Sequence, residues 1–422
     1  MQRTLIVMTP VQTIGFCLAI TAFELLTYMA SDMIMPAMLT VTGEFNADAR
    51  HVPNAFNLYL LGGVCLQWLI GPLSDRYGRR RLLLLGCALF GLACSAAVMT
   101  QRIEAFNAMR LIQGMGLGFV VAVSYPALQE VFCEADAVRL MALLGNVALL
   151  SPLLGPLLGS LLLEWLSWRQ MFLGLGLASA VVWLGLLAWM PETIGVTRRD
   201  GQQQAPASFS LMQVGRGYLT LLRNRRFVGC SVALGLMSLP LIAWIGLAPV
   251  LLMQRLELSA LAYGVWQIPV FSAVIVGNLL LDRLLASHTL VRVIGLALWP
   301  FCLGLLMLIG AALSSAALVM AVGGLSLYAL GLGMSNAALY RLALFSSPDG
   351  KGLVSAMIGM LSIAVMGLGG SLIATVGGSD NLKSFCLLAA LGGLLCLPLL
   401  YRILRHNPAA PPRPTYINKD IR

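Results

Sequence analysis

The segment Gly71-Pro72-Leu73-Ser74-Asp75-Arg76-Tyr77-Gly78-Arg79-Arg80-Arg81 connects two apolar runs, residues 53–73 and 82–100. A short, strongly basic turn between two apolar stretches of about 20 residues is the pattern of a chain that crosses a membrane, turns and crosses back. The composition extends that reading to the whole chain. With 59% of 422 residues hydrophobic, 10% charged and a mean hydropathy of +0.88, the protein carries more apolar surface than a soluble core hides. Working outward in both directions, the same alternation of apolar runs and charged turns predicts spans at 11–38, 53–73, 82–100, 105–130, 140–163, 170–190, 227–252, 261–283, 290–312, 316–340, 352–376 and 383–404. The expected class is an all-α polytopic membrane protein with twelve transmembrane helices.

The first apolar stretch follows Arg3 but continues past Glu24 to Pro36 with no small-residue cleavage site, so it reads as a retained span. The nine cysteines lie mostly within apolar runs, without a CxxC pair or a nearby histidine at ligand spacing, and read as core-filling thiols. The formal charge of +10 would suggest nucleic-acid binding in a soluble protein, but here it sorts by side. Of the 27 basic residues, 21 fall on the side of both termini, five on the other side, and Arg110 alone lies within a span. That bias predicts a multi-pass membrane protein with both termini in the cytoplasm, membrane lipid as a partner and no nucleic acid.

The longest segment between spans, Pro191 to Arg226, divides six spans from six. Within it Phe209, Met212, Tyr218, Leu219 and Leu222 alternate with Arg216 and Arg223, which suits either a helix on the membrane surface or a plain linker. Gly71…Asp75-Arg76 at the end of span 2 is echoed by Gly277…Asp282-Arg283 at the end of span 8. The chain therefore divides into residues 1–190, an N-terminal six-helix bundle; 191–226, a linker; 227–404, a pseudo-symmetric second six-helix bundle; and 405–422, a proline-rich tail. Duplicated halves around a midplane site are a recurring transporter plan.

A charge at mid-membrane costs roughly 2.5–3.5 kcal/mol on insertion scales, so each one that persists there asks for a function. The sequence places Glu24, Asp32 and Arg110 in that position, all in the first half. His51, His288 and His406 fall outside the spans, and spans 7–12 carry no acid or base away from their ends. Glu24 and Asp32 are eight residues apart, about 12 Å along a helix and about 80° around it, too far for one carboxyl dyad. Two acids at different depths suit separate proton uptake and release, with Arg110 as the neighbouring cation; simple pairing that fixes helix packing is the other reading. At the end of span 2, Gly71 permits close helix approach and Asp75 is placed to accept from the N-terminus of a neighbouring helix. Lys351, between glycines, lacks the rest of a phosphate loop and reads as an anchor.

Three stretches together resemble the major facilitator superfamily. GPLSDRYGRRRLL after span 2 is similar to that superfamily's loop signature, Arg110-Leu-Ile-Gln113-Gly114 in span 4 to its second motif, and Ser151-Pro152-Leu-Leu-Gly155-Pro156-Leu-Leu-Gly159 in span 5 to the motif of its drug/proton antiporters. The likeness to bacterial multidrug facilitators extends over nearly the whole chain, including Glu24…Tyr28…Asp32…Pro36. The resemblance implies the major facilitator fold and proton-coupled efflux of cationic and neutral drugs. It assigns proton coupling to Glu24 and Asp32, coupling with Asp32 to Arg110, and gating to Gly71, Asp75, Arg76, Gly78, Arg79, Arg80, Pro152, Gly155, Pro156 and Gly159. Two positions depart from the pattern: Ser31 replaces an amide side chain, and Ser160 the last glycine of the antiporter motif. The prolines are expected to bend span 5.

The substrate space is expected between the halves, apolar with few polar anchors. Tyr28, Asp32, Gln113, Leu117, Tyr125, Leu144, Asn146 and Ala148 are the first-half candidates; Leu234, Phe271, Tyr263 and Gln267 are those of the second half, ordinary helix packing being the alternative for each apolar or aromatic side chain. No cofactor is expected beyond the proton motive force, and the protein is expected to act as a monomer. A superfamily symporter for one sugar or amino acid is the nearest alternative, which the proline-glycine pattern of span 5 disfavours. A membrane enzyme or sensor would need a catalytic cluster, a nucleotide loop or a large soluble domain, none of which the sequence offers.

Overall fold

The computed structural model describes residues 4–48, 51–199, 201, 203, 205–206, 211–285, 287–347 and 351–405. Among them eleven helices are long and apolar enough to cross a membrane: Pro10–Glu44, Val52–Tyr77, Arg79–Val98, Ile103–Val131, Trp168–Trp189, Arg225–Arg255, Ala260–Leu285, Leu290–Leu313, Ala317–Leu344, Leu353–Gly378 and Leu382–Arg405. Glu134–Leu162, a 29-residue helix whose described apolar part is Leu150–Leu162, stands in the place of span 5. Helices are the outcome because no water in the hydrocarbon layer hydrogen-bonds an open backbone. Their starts are marked by residues that satisfy the first N–H groups. Thr9 and Gln12 form a reciprocal capping box ahead of Pro10, Ser167 and Gln170 do the same for span 6, and Asn224, Thr289 and Asn381 cap spans 7, 9 and 12.

The pseudo-symmetry of the two bundles appears in how the backbones meet. Spans 2 and 4 approach so closely that a Cβ added at Gly62 would sit 2.0 Å from the Leu111 carbonyl oxygen, and one at Gly114 1.9 Å from that of Tyr59. Half a chain later, Gly277 and Gly333 stand in the same relation between spans 8 and 10, at 2.4 Å from the Leu330 oxygen and 2.3 Å from the Val274 oxygen. Small residues at these crossings gain the dispersion contacts that hold helices together in lipid. Asp282, the other part of the repeat, has a side chain outside the described residues.

The halves meet along span 2 against span 11, where the Asn57 amide donates to the Ser371 hydroxyl at 3.1 Å, and along span 5 against span 8, where Gly264 faces Leu157 and Ser160. Spans 1 and 7, equivalent in the two halves, both depart from α-helical geometry at the same end. Span 1 breaks at Met33–Ile34 and resumes as Met38–Glu44, while span 7 finishes in a π-helical turn, Pro249–Arg255, and these two segments touch. Met38–Glu44 is held in place because Glu44 accepts from the Trp168 indole at 2.7 Å and pairs with Arg169. Span 5 carries Pro152 and Pro156 inside one uninterrupted helix, while spans 1, 2, 4, 7, 11 and 12 are each interrupted.

Between the halves, Leu211–Arg223 forms a helix that touches spans 7 and 11, buries Leu221 and leaves Met212, Leu219 and Leu222 exposed. Its Tyr218 hydroxyl donates to the Trp68 carbonyl of span 2 at 3.4 Å, so it ties the two halves at the end that carries the basic turn. The segment between the halves thus contains a helix, packed on the spans rather than extended throughout. Phe209 and the tail beyond Arg405 lie outside the described residues.

Candidate functional site

Glu24, Tyr28 and Asp32 form an i, i+4, i+8 row on span 1, so one side of the helix carries a carboxyl, a phenol and a second carboxyl in succession. Glu24 is 0% exposed. Its Oε1 accepts from the Tyr125 hydroxyl at 3.0 Å, while Oε2 has no partner among the described residues. Asp32 is 3% exposed; its Oδ2 accepts from the Ser151 hydroxyl at 2.7 Å, and the Ser31 hydroxyl lies beside it.

Span 5 presents a matching row, Ser151, Gly155 and Gly159. A Cβ at Gly155 would lie 2.7 Å from the Asp32 Cβ, and one at Gly159 1.9 Å from the Met33 carbonyl oxygen. The antiporter-like motif is thus the surface on which the Asp32 end of span 1 rests. Its glycines remove the side chains that would hold the two helices apart, and its serine supplies a hydrogen bond to the acid.

Arg110 is 0% exposed and donates to the carbonyls of Ala30 at 3.0 Å, Ala55 at 3.3 Å and Ser31 at 3.5 Å, and to Gln113 Oε1 at 2.8 Å. Its guanidinium lies 4.6 Å from the centre of the Tyr59 ring and 6.0 Å from that of Phe172. Among the described residues no ion pair joins it to Asp32. Helix Pro10–Asp32 ends here: the Met29 carbonyl still accepts from the Met33 N–H, those of Ala30 and Ser31 are met by Arg110, and a cation suits that negative end of the dipole. Arg110 therefore grips the backbone immediately before Asp32, and Gln113, which donates to the Ala93 carbonyl at 3.3 Å, steadies the guanidinium. The Tyr59 hydroxyl donates to the Thr27 carbonyl, a second hold on the segment between the acids.

At the basic turn, Gly78 adopts φ +104° and lets span 3 start one residue after span 2 ends. Any Cβ there would also collide with Glu192, at 2.2 Å from its Oε2. Arg79, nearly buried, pairs with Asp75 at 2.5 Å and Glu130 at 2.9 Å and donates to the Ser74 hydroxyl. Thr193 donates to Glu130 from the start of the linker. The Asp75 carboxylate is thus occupied by Arg79, and the N-terminus of span 3 is served by another acid: the Arg79 N–H donates to Glu192 Oε1 at 2.9 Å. The reason is reach, since i, i+4 geometry brings Arg79 onto Asp75 whereas Glu192 arrives from span 6 directly over the helix start. Arg80 donates to the Leu187 carbonyl, and Arg76 lies over the Tyr77 ring. Gly71 has nothing near its added Cβ, so no close approach depends on it.

Leu117, Leu144, Leu234 and Phe271 are buried, as are Tyr263 and Gln267. Gln267 Oε1 accepts from the Trp244 indole at 2.7 Å, and Tyr263 of span 8 lies within electrostatic range of Asp32. Asn146 and Ala148 have side chains outside the described residues. Tyr59, Glu130, Glu192, Thr193 and Trp244 take part in this machinery without having been singled out in the sequence. Glu130 and Glu192 carried a usable signal, each being an acid at the basic end of a span, where arginines predominate. Among the described residues no group of three His, Cys, Asp or Glu side chains is placed to hold a metal ion.

A helical bundle of two repeated halves, with buried acids on its first span and an arginine-gripped break beside them, is the architecture of a membrane transporter rather than of an enzyme. Over residues 20–374 the chain matches the Major Facilitator Superfamily, and it belongs to that family. It is similar to the multidrug transporter MdfA of Yersinia pestis bv. Antiqua (strain Angola), with 43% identity over 396 residues covering 94% of this chain and 95% of that one. It is likewise similar to the multidrug transporter MdfA of Escherichia coli O6:H1, with 42% identity over 397 residues covering 93% and 94%. Solved structures share the fold at low identity. A D-xylose-proton symporter gives a TM-score of 0.70 at 15% identity, covering 92% of this chain and 97% of that one. A bacterial homologue of the human lysosomal transporter Spinster, inward-facing and unoccupied, gives 0.73 at 12%, covering 94% and 98%.

Proposed function

We propose that the protein is a proton-coupled multidrug efflux antiporter of the bacterial inner membrane, exporting lipophilic cationic and neutral drugs by alternating access. The observation that carries the reading is Asp32: a carboxyl group 3% exposed, with hydroxyl partners and, among the described residues, no ion pair, at the point where span 1 breaks and span 5 packs against it. An acid so enclosed is matched either by a proton or by a cationic substrate, and the two exclude each other. Glu24, with one oxygen unpaired among the described residues, is a second proton station about 12 Å away along the helix. Arg110 couples to Asp32 through the Ala30 and Ser31 carbonyls. The first bundle (1–190) handles protons, the second (227–404) shapes the cavity, and residues 191–226 link them.

Both termini lie in the cytoplasm by the basic bias of the loops, so the Asp75–Arg79–Glu130 network belongs to the cytoplasmic gate. The transporter works as a monomer and needs no cofactor, because each charge moved inward gains about 2.3 kcal/mol per 100 mV of membrane potential. Chloramphenicol-like antibiotics, dyes and quaternary ammonium compounds fit the expected substrate chemistry. The test is uptake of a cationic dye into inverted vesicles under an imposed pH gradient. Wild type accumulates dye, and Asp32→Asn combined with Glu24→Gln abolishes the pH-driven component. Undiminished accumulation by the double variant would refute the proposal.

A further inference from the structure

Span 8 carries its own i, i+4, i+8 row, Tyr263, Gln267 and Phe271, all buried. The Gln267 amide is fixed by Trp244, whose indole N–H donates to Oε1 at 2.7 Å. An indole nitrogen only donates, so the amide has one permissible orientation: its oxygen meets Trp244 and its NH2 points away. Trp244 is 0% exposed and packs on Phe385 with ring centres 5.5 Å apart, which makes it a rigid anchor. The Gln267 Nε2, on a side chain 1% exposed, has no hydrogen-bond partner among the described residues. Unpaired donors in a membrane interior are destabilising, and methionine or leucine would fill the same volume without them.

The location supplies a reason for them. Gly264, beside Tyr263, packs on Leu157 and Ser160 of span 5, next to the Gly155–Gly159 surface that supports Asp32. Tyr263 itself lies within electrostatic range of Asp32. The Tyr263 end of the row therefore stands at the seam between the halves, near the acid, and Gln267 follows one turn further along span 8. We propose that the Gln267 amide is the hydrogen-bond donor for neutral drugs, binding an amide-carbonyl or nitro oxygen, with Trp244 as the residue that positions it. Asp32 alone offers such a drug only an acceptor when it is ionised; Gln267 adds the complementary donor from the other half. A cationic substrate without acceptor atoms has no use for it.

This inference rests on the drug-efflux reading, and its test separates the two. Equilibrium binding to the purified full-length protein in lipid nanodiscs is measured for chloramphenicol, which is neutral and rich in acceptors, and for tetraphenylphosphonium, a cation with none. The quantity read is the ratio of the chloramphenicol Kd to the tetraphenylphosphonium Kd. Gln267→Met raises that ratio about tenfold, the loss of one or two hydrogen bonds to a neutral acceptor. Trp244→Phe keeps the donors but frees the amide, and raises it about threefold. An unchanged ratio in Gln267→Met overturns the proposal, and so does an equal weakening of both probes, which marks a packing defect. If Gln267→Met does not fold, Trp244→Phe decides, and an unchanged ratio overturns the proposal again. Wild-type protein that binds neither probe overturns the efflux reading itself.

Discussion

Replacing Gly159 by alanine tests whether the span 5 motif exists to seat Asp32. The added Cβ would lie 1.9 Å from the Met33 carbonyl oxygen and 3.1 Å from Pro36 Cγ. Carbon and carbonyl oxygen come no closer than about 3.3 Å, so the two backbones must separate by about 1.4 Å. Two turns away, Ser151 holds Asp32 at 2.7 Å, a bond that does not survive a displacement of that size. The overpacking costs about 1–3 kcal/mol of stability, and a 1 Å misplacement of a reacting group lowers rates by about 100-fold in well-ordered sites. The assay is pH-gradient-driven dye uptake in inverted vesicles, scaled to the amount of folded protein. Gly159→Ala is expected to fall at least about tenfold. Gly174→Ala, where nothing lies within 4 Å of the added Cβ, serves as the control at wild-type rate. Wild-type uptake by Gly159→Ala would show that the close approach of spans 1 and 5 carries no function.

Arg110→Lys keeps the charge but cannot reach three carbonyls and Gln113 at once; it should cost about 1.5–3 kcal/mol in stability, seen by thermal unfolding, and reduce drug binding in parallel. Glu130→Gln leaves the Arg79 guanidinium paired with Asp75 alone, and spin labels across the basic end should report a shift in the opening equilibrium of about 1–3 kcal/mol. Glu192→Gln removes the carboxylate from the start of span 3, with an expected loss of about 0.5–2 kcal/mol in unfolding free energy and little change in drug affinity.

The spans were legible in the sequence because each is an apolar run bounded by charge, and the helices Val52–Tyr77 and Leu290–Leu313 lie close to the predicted 53–73 and 290–312. The buried acids were legible for a similar reason, since a carboxyl inside an apolar run stands out. Their partners were not. Arg110 is satisfied mainly by backbone carbonyls, which leave no mark in a sequence, although the break that frees them lies at Pro36, whose ring and missing N–H end the α-helix at Asp32. Glu192 was hidden by distance, lying 113 residues from the N–H that it accepts. Gln267 could be named as a cavity candidate, but its orientation depends on Trp244, and only the fold sets that pair.

If a proton and a drug compete for the buried acids of span 1, drug binding displaces protons. The most direct measurement is proton release on drug binding: tetraphenylphosphonium is added to purified protein in weakly buffered detergent solution, and the pH change is recorded. Wild-type protein is expected to release protons in proportion to drug bound, and Asp32→Asn with Glu24→Gln to release none. Undiminished release from the double variant, or drug binding to the wild type with no release at all, would contradict that competition.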